Sequence, residues 1–419
     1  MAPPPPPPPT TTLSPSTIAT ATRAIDAASA ELRSLNLAIY NNPETKYEEH
    51  AALALLCDWF EARGWAVARG VYGLATAFEA RFSIGNGGRT IAFNAEYDAL
   101  PKIGHACGHN LIATSTLASA VGTVAALQAL PAAAGTVVVL GTPAEETGGG
   151  KFYMANAGAW KDVDACLMTH PMPDFSTPVC PLRASWKYRA FFHGRAAHAA
   201  AAPWQGANAC DAIVAAYNGL AALRQHLRPG ESVQGVILKA GEAPNVIPEY
   251  AEGTFSLRAP KARALREMRE RVEPIFEGAA RGAGCSVEVK WDAVYEDVVT
   301  NRGLAERYRA HMLAHLGMSA DEMLPLDEAE RAHQQNGSSD MGNVTYICPG
   351  IQPMFRIDAA NLPHTKEFQQ AAGTQFAHDM ALQAGKANAL VALDVLLDDE
   401  FFGGVKAEWE AAMREEGRL

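Results

Sequence analysis

From Thr90 to Thr169 the chain alternates short apolar segments with helical ones: Thr90 to Asn94, a helix after Asn110, Thr136 to Leu140, and Ala165 to Thr169. Apolar runs without polar alternation are buried on both faces, and the helices between them serve as the crossovers that join parallel strands. The pattern predicts an α/β fold with a mixed, mostly parallel sheet flanked by helices. Sheets of this kind collect their chemistry at the carboxyl ends of the strands. Cys107, His109, Glu146 and His170 lie just past the strand-like segments, and His364 stands far downstream. Each offers a group that binds divalent metal, so their placement predicts a metal centre assembled by the fold.

At 419 residues the chain exceeds the size at which one hydrophobic core stops growing, and two domains are expected. The pattern changes near Arg183, where Trp186, Tyr188 and Ala190 alternate with Lys187 and Arg189 in the period of a strand with one wet face. A helix (207–227), strands at 233–238 and 254–257, a helix from 261 to about 280 and a strand at 286–289 follow. The order βαββαβ is that of a ferredoxin-like α+β unit. Residues 183–298 are therefore expected to form an inserted domain, with 14–182 and 299–419 making up the main domain. Residues 1–13, which contain the Pro3 to Pro9 run, cannot bury apolar area and are expected to form a disordered tail.

A net charge of -11 and a pI near 5.6, without clustered Lys and Arg, exclude a nucleic-acid surface. No charged residue occurs from Leu111 to Thr142, yet Pro131, Gly135 and several polar residues break that run, so a buried helix followed by a buried strand is expected there and not a membrane span. The seven Cys residues have no regular spacing and sit mostly in apolar stretches, as reduced thiols do. No charged segment followed by an apolar run opens the chain, and the expected location is the cytoplasm.

The chemistry concentrates in a few short segments. Asn94-Ala95-Glu96-Tyr97-Asp98-Ala99-Leu100-Pro101 ends a strand in a carboxylate-bearing loop, and Gly104-His105-Ala106-Cys107-Gly108-His109-Asn110 opens the next helix. The positive end of a helix dipole favours the thiolate of Cys107, the form that binds metal. Asp98 is suited to accept the second ring N–H of His109 and so orient it, although direct ligation stays open. In Pro143-Ala144-Glu145-Glu146-Thr147-Gly148-Gly149-Gly150, two acids follow an apolar strand directly. Neighbouring side chains diverge in extended backbone, so one carboxylate can ligate while the other faces an attacking water. Glu146 is assigned as ligand and Glu145 as general base. His170 and His364 are unremarkable alone and gain meaning from the set.

These segments resemble the amidohydrolase branch of the co-catalytic metallopeptidase family that includes aminoacylase, carnosinase and bacterial glutamate carboxypeptidase. The branch itself contains p-aminobenzoyl-glutamate hydrolase and plant auxin-conjugate hydrolases. His170-Pro171, Gly194-Arg195-Ala196-Ala197-His198, Pro244-Asn245-Val246-Ile247-Pro248 and Gly337-Ser338-Ser339-Asp340-Met341-Gly342 match in the same order. The resemblance implies two divalent ions held by Cys107, His109, Glu146, His170 and His364, with Glu145 as the base. It further implies a homodimer formed through the inserted lid domain, His198 reaching the oxyanion from the partner subunit, and Asn245 and Arg258 holding a substrate carboxylate. A thiolate favours zinc, while the carboxylate and imidazole ligands also accept manganese or cobalt.

The expected activity is cleavage of the amide bond of an N-acyl amino acid or unusual dipeptide by a metal-activated water. The same site run in the amide-forming direction is one alternative. A non-catalytic metal-stabilised scaffold is the other, though a scaffold needs a ligand and no base.

Overall fold

In a computed structural model, residues 11–333 and 337–419 are described. The Pro3 to Pro9 run lies outside them. Thr11 to Leu13, placed in the tail by the sequence, are ordered: Thr11 Oγ1 donates to Asp394 Oδ1 at 2.7 Å, and Leu13 joins the hydrophobic core. The described residues fall into two compact units. One lies within Met1–Pro181, Val298–Gln335 and Asp340–Leu419, the other within Leu182–Asp297 and Asn336–Ser339.

The first unit is built on a six-stranded sheet in the order Ala66–Arg69, Phe78–Ile84, Gly135–Gly141, Arg89–Ala95, Ala165–Leu167, Gly350–Ile351. The strands from Gly135–Gly141 onward are parallel, and Phe78–Ile84 runs antiparallel to both of its neighbours. The antiparallel edge escaped the sequence because Ala66–Arg69 is only four residues long and largely exposed. The register of the parallel pairs has a direct consequence for the site. Ala95 stands opposite Gly141, and Phe93 opposite Leu167, so the chain leaves three adjacent strands at one edge of the sheet.

The helix His109–Gln128 starts at that edge and packs between Pro15–Asn41 and Gln375–Leu397. Its residues Leu111 to Ala120 are all buried, because apolar and small side chains occupy every face and hydroxyls return to the backbone, as Ser119 does to Ser115 O and Thr123 to Ser119 O. By length and hydropathy, His109–Gln128 and Gln375–Leu397 are each able to cross a membrane, but 89% and 78% of their apolar windows are buried inside the unit. That degree of burial marks them as core helices. Their close approach needs Gly385, where a Cβ would stand 2.7 Å from both Ala118 Cβ and Ser115 O.

The second unit is a four-stranded antiparallel sheet ordered Ser286–Tyr295, Ala184–His193, Tyr250–Ala259, Ser232–Lys239. The strand Tyr250–Ala259 alternates strictly between half-buried and buried residues, the period of a sheet covered on one face. Helices Ala209–Leu223 and Ala262–Gly282 supply the cover, with Phe276 edge-on to Phe255 at 5.0 Å and to Tyr188 at 5.7 Å. Arrangement and order are those of the expected α+β insert.

Gly385→Val drives a branched side chain into the neighbouring helix. A loss of about 1–3 kcal/mol is expected from such overpacking. Thermal unfolding should fall by several degrees; an unchanged midpoint would contradict the close approach of the two helices.

Candidate metal centre

The strand Arg89–Ala95 runs directly into Glu96, Tyr97 and Asp98, all fully buried. Asp98 uses both oxygens: Oδ1 accepts from His109 Nδ1 at 2.9 Å and Oδ2 accepts from the Glu146 backbone N–H at 2.9 Å. With its proton on Nδ1, the His109 ring presents a bare Nε2 to the cavity. His170 is oriented in the same way, its Nδ1 donating to Pro171 O at 2.8 Å. Between Cys107 and His109 the chain turns through Gly108, at φ +77°, where a Cβ would meet Pro171 Cγ at 2.5 Å. Only glycine satisfies both the left-handed conformation and the close approach.

The loop after Gly135–Gly141 holds Ala144 at φ 59° and Thr147 at φ 67°, and His364 sits at φ 71°. Non-glycine residues in this region each cost about 1–2 kcal/mol, and the surroundings hold them there. Glu49 Oε1 accepts from Ala144 N at 2.9 Å, Tyr47 donates to Gly148 O at 2.7 Å, and Ala106 O accepts from His364 N at 2.8 Å. The two acids of the loop sit in a turn and not in extended backbone, so both carboxylates come near the same cluster on different partners. Glu146 Oε1 lies 3.0 Å from His364 Nε2, and Glu145 Oε2 lies 3.9 Å from His109 Nε2.

The distances between candidate ligand atoms test whether a metal fits. Around a tetrahedral ion with bonds of about 2.0–2.3 Å, ligand atoms lie roughly 3.3–3.6 Å apart. Cys107 Sγ and His170 Nε2 are 3.5 Å apart. The atoms of Cys107, His109 and His170 all lie within 4.8 Å of one another, as do those of Cys107, Glu146 and His364 and those of His109, Glu145 and Glu146. Buried His109 Nε2 has no hydrogen-bond partner, although such atoms normally have one. Thiol, imidazole and carboxylate donors converging around a bare ring nitrogen are a donor set that fits divalent metal.

Charge crowding leads to the same conclusion. Burial, then the nearby carboxylates of Glu96, Glu146 and Asp340, pushes Glu145 well above the usual carboxylate range. Burial and the Glu146 charge likewise raise Cys107. For Asp98, burial acts upward but His109 outweighs it and brings the group below its ordinary value; for Glu146, burial is outweighed in the same way by the His364 ring beside it. Burial takes His170 down to about 4, leaving a neutral imidazole whose Nε2 lone pair is free to bind.

All five candidate ligands, the candidate base Glu145 and the orienting Asp98 are thus brought together. His198, Asn245 and Arg258 belong to the inserted unit and have local partners there. His198 pairs with Val246 in a two-residue bridge, and its Nδ1 accepts from Ala200 N at 3.3 Å and Ala201 N at 3.2 Å, which leaves the ring proton on Nε2. Asn245 O accepts from Ala199 N, and half-buried Arg258 donates to Ser338 Oγ at 3.0 Å.

Sequence reasoning gave no role to Lys151, Glu96 or Asp340, which form a fully buried ion triad. Lys151 Nζ lies 2.5 Å from Glu96 Oε1 and 2.6 Å from Asp340 Oδ1, and Lys151 N donates to Asp340 Oδ2. The available signal was a lone lysine following three glycines at the head of an apolar helix.

Residues 182–283 match the model of a peptidase dimerisation domain of the M20 type. The chain is 40% identical to Xaa-Arg dipeptidase of Mus musculus over 95% of this chain and 93% of that protein. It is 29% identical to a p-aminobenzoyl-glutamate hydrolase chain of Escherichia coli over 90% of this chain and 91% of that protein. Among solved structures it resembles the YxeP protein of Bacillus subtilis, a dinuclear metal binding peptidase from the M20 family. The TM-score is 0.65 at 21% identity, covering 88% of this chain and 99% of that one. Identity at this level over nearly the whole length, on a fold that gathers a metal-ligand set beside the Glu145 carboxylate, leaves one conclusion: the chain belongs to the M20 peptidase family and is a metal-dependent enzyme that hydrolyses amide bonds.

Proposed function

We propose that this enzyme cleaves dipeptides or N-acyl amino acids whose carboxyl-terminal residue is basic, with two zinc ions as its metals. The observation that carries the reading is the convergence of Cys107, His109, Glu146, His170 and His364 beside Glu145. Two of the ligand triads include Cys107, and a thiolate is a ligand that zinc favours. The preference for a basic residue rests on similarity to a protein named Xaa-Arg dipeptidase, and the net charge of -11 favours the approach of cationic substrates.

Bound divalent ions supply Lewis acidity at the scissile carbonyl and lower the pKa of the attacking water. Glu145 takes the water's proton as the oxygen attacks the carbonyl, then delivers it to the amine as the C–N bond breaks. Its Oε2 lies 3.9 Å from His109 Nε2, close beside the candidate ligands. His198, with its proton on Nε2, donates to the developing oxyanion from the partner subunit of a homodimer. Asn245 and Arg258 bind the substrate's carboxylate, for which a guanidinium offers paired donors.

Glu145→Gln should keep the full metal content and lower kcat by about 10²–10⁴. Elemental analysis alongside steady-state kinetics reads both, and wild-type turnover in that variant would remove Glu145 as the base. A panel of dipeptides should show the highest kcat/KM for carboxyl-terminal Arg or Lys, whereas equal rates on neutral residues would defeat the substrate assignment. Arg258→Met should raise KM for a free-carboxylate dipeptide by about tenfold or more and leave KM for its carboxyl-terminal amide unchanged. Equal effects on acid and amide would dismiss the carboxylate contact.

A further inference from the structure

The triad of Lys151, Glu96 and Asp340 is fully buried and takes no part in the steps above. Charged groups are rarely buried without a role or a partner, and one atom of this set has none. Glu96 Oε1 is held by Lys151 Nζ at 2.5 Å, whereas Glu96 Oε2 has no hydrogen-bond partner. That free oxygen stands 3.4 Å from His109 Nε2, which is also fully buried and without a hydrogen-bond partner.

A carboxylate oxygen and an imidazole nitrogen, both lone-pair donors and neither with a hydrogen-bond partner, are at this distance spaced as two ligands of one ion, since atoms on a tetrahedral ion with bonds of about 2.0–2.1 Å lie about 3.3 Å apart. A ligating carboxylate commonly has its second oxygen fixed by a donor, and Lys151 fills that place for Glu96. Lys151 is itself anchored twice to Asp340, through Nζ and through its backbone N–H, so the clamp is tied to two separate parts of the chain.

We propose that Glu96 is a further ligand of the metal centre, giving Oε2 to the ion held by His109, and that Lys151 and Asp340 are positioning residues that fix its carboxylate. The inference rests on the metal-centre reading above and adds a sixth residue to it. It also gives the buried lysine a purpose: Lys151 balances the carboxylate on one oxygen and leaves the other to the ion.

The test uses the full chain, stripped of metal and titrated with zinc against a chromogenic chelator. Wild type is expected to bind two ions. Glu96→Gln should bind one of them about a hundredfold more weakly, a loss of the size that altered metal surroundings produce. Glu96→Asp keeps the charge beside Lys151 but withdraws the oxygen by one methylene. In the cobalt-substituted protein it should change the visible absorption bands, which follow the number and kind of ligands and do not respond to a purely structural carboxylate. Two tight sites in Glu96→Gln, or an unaltered cobalt spectrum in Glu96→Asp, would overturn the assignment. Should Glu96→Gln fail to fold, the aspartate variant decides alone. A wild-type chain that binds no zinc would defeat the metal-centre reading first, an outcome distinct from failure at Glu96 only.

Discussion

One buried carboxylate couples the parts of this site. Asp98 lies in the segment that leaves the strand Arg89–Ala95, and its two oxygens reach the first residue of the helix that follows and the loop that leaves the adjacent parallel strand. The reach is short because Ala95 and Gly141 are register partners and Thr142 N donates to Ala95 O at 2.8 Å. On the other flank, Ala165–Leu167 pairs with the same central strand and leads to His170. The middle strand therefore sets the spacing of everything beside it. Without Asp98, His109 loses the tautomer that bares Nε2, and the Glu145–Glu146 loop loses the acceptor that positions its backbone.

Much of this was readable in the residues because strand-end placement follows from a simple pattern. Apolar runs followed at once by Cys, His or Glu announce chemistry at the carboxyl ends of a parallel sheet, whereas the extended backbone expected at Glu145 and Glu146 is a turn that keeps both carboxylates in one cluster. The insert was legible for the same reason, since its strands alternate with one wet face and its aromatic residues fall on the other. Less legible were features set by long-range pairing. Lys151 gives no periodic signal, and its partners Glu96 and Asp340 lie 55 and 189 residues away in the chain. Glu49 is equally silent: it looks like a surface acid at the start of a helix, yet it is fully buried and caps the amide of Ala144. The exposed edge strand Ala66–Arg69 is only four residues long, too short for a hydrophobic period to mark it.

The backbone at the site is held where side chains rarely allow it. Ala144, Thr147 and His364 all adopt positive φ, and each flanks or is itself a residue of the cluster. Such positions do not arise from local preference. They persist because Glu49, Tyr47 and Ala106 O fix the neighbouring groups, so precision in the site depends on residues that touch neither metal nor substrate. His364 also differs from the other candidate ligands in exposure. Its side chain is 54% accessible while that of Glu146 beside it is 9%, which places the imidazole at the rim and the carboxylate inside.

The balance of charge explains why the cluster and its metal belong together. Glu96, Asp98, Glu145, Glu146 and Asp340 are all buried in one region, and Lys151 is the lysine that answers them there. Removing a charge from water costs several kcal/mol even after the surroundings relax, and like charges in a dry site add to that. The one ammonium, held by Glu96 and Asp340 and acting electrostatically on Glu145 as well, faces more buried carboxylates than it can balance. Divalent ions bound at these donors relieve the excess and couple their binding to folding, by about 4 kcal/mol when the free ion exceeds Kd a thousandfold. The crowding that burdens the metal-free fold is therefore the same property that gives the site its affinity for cations.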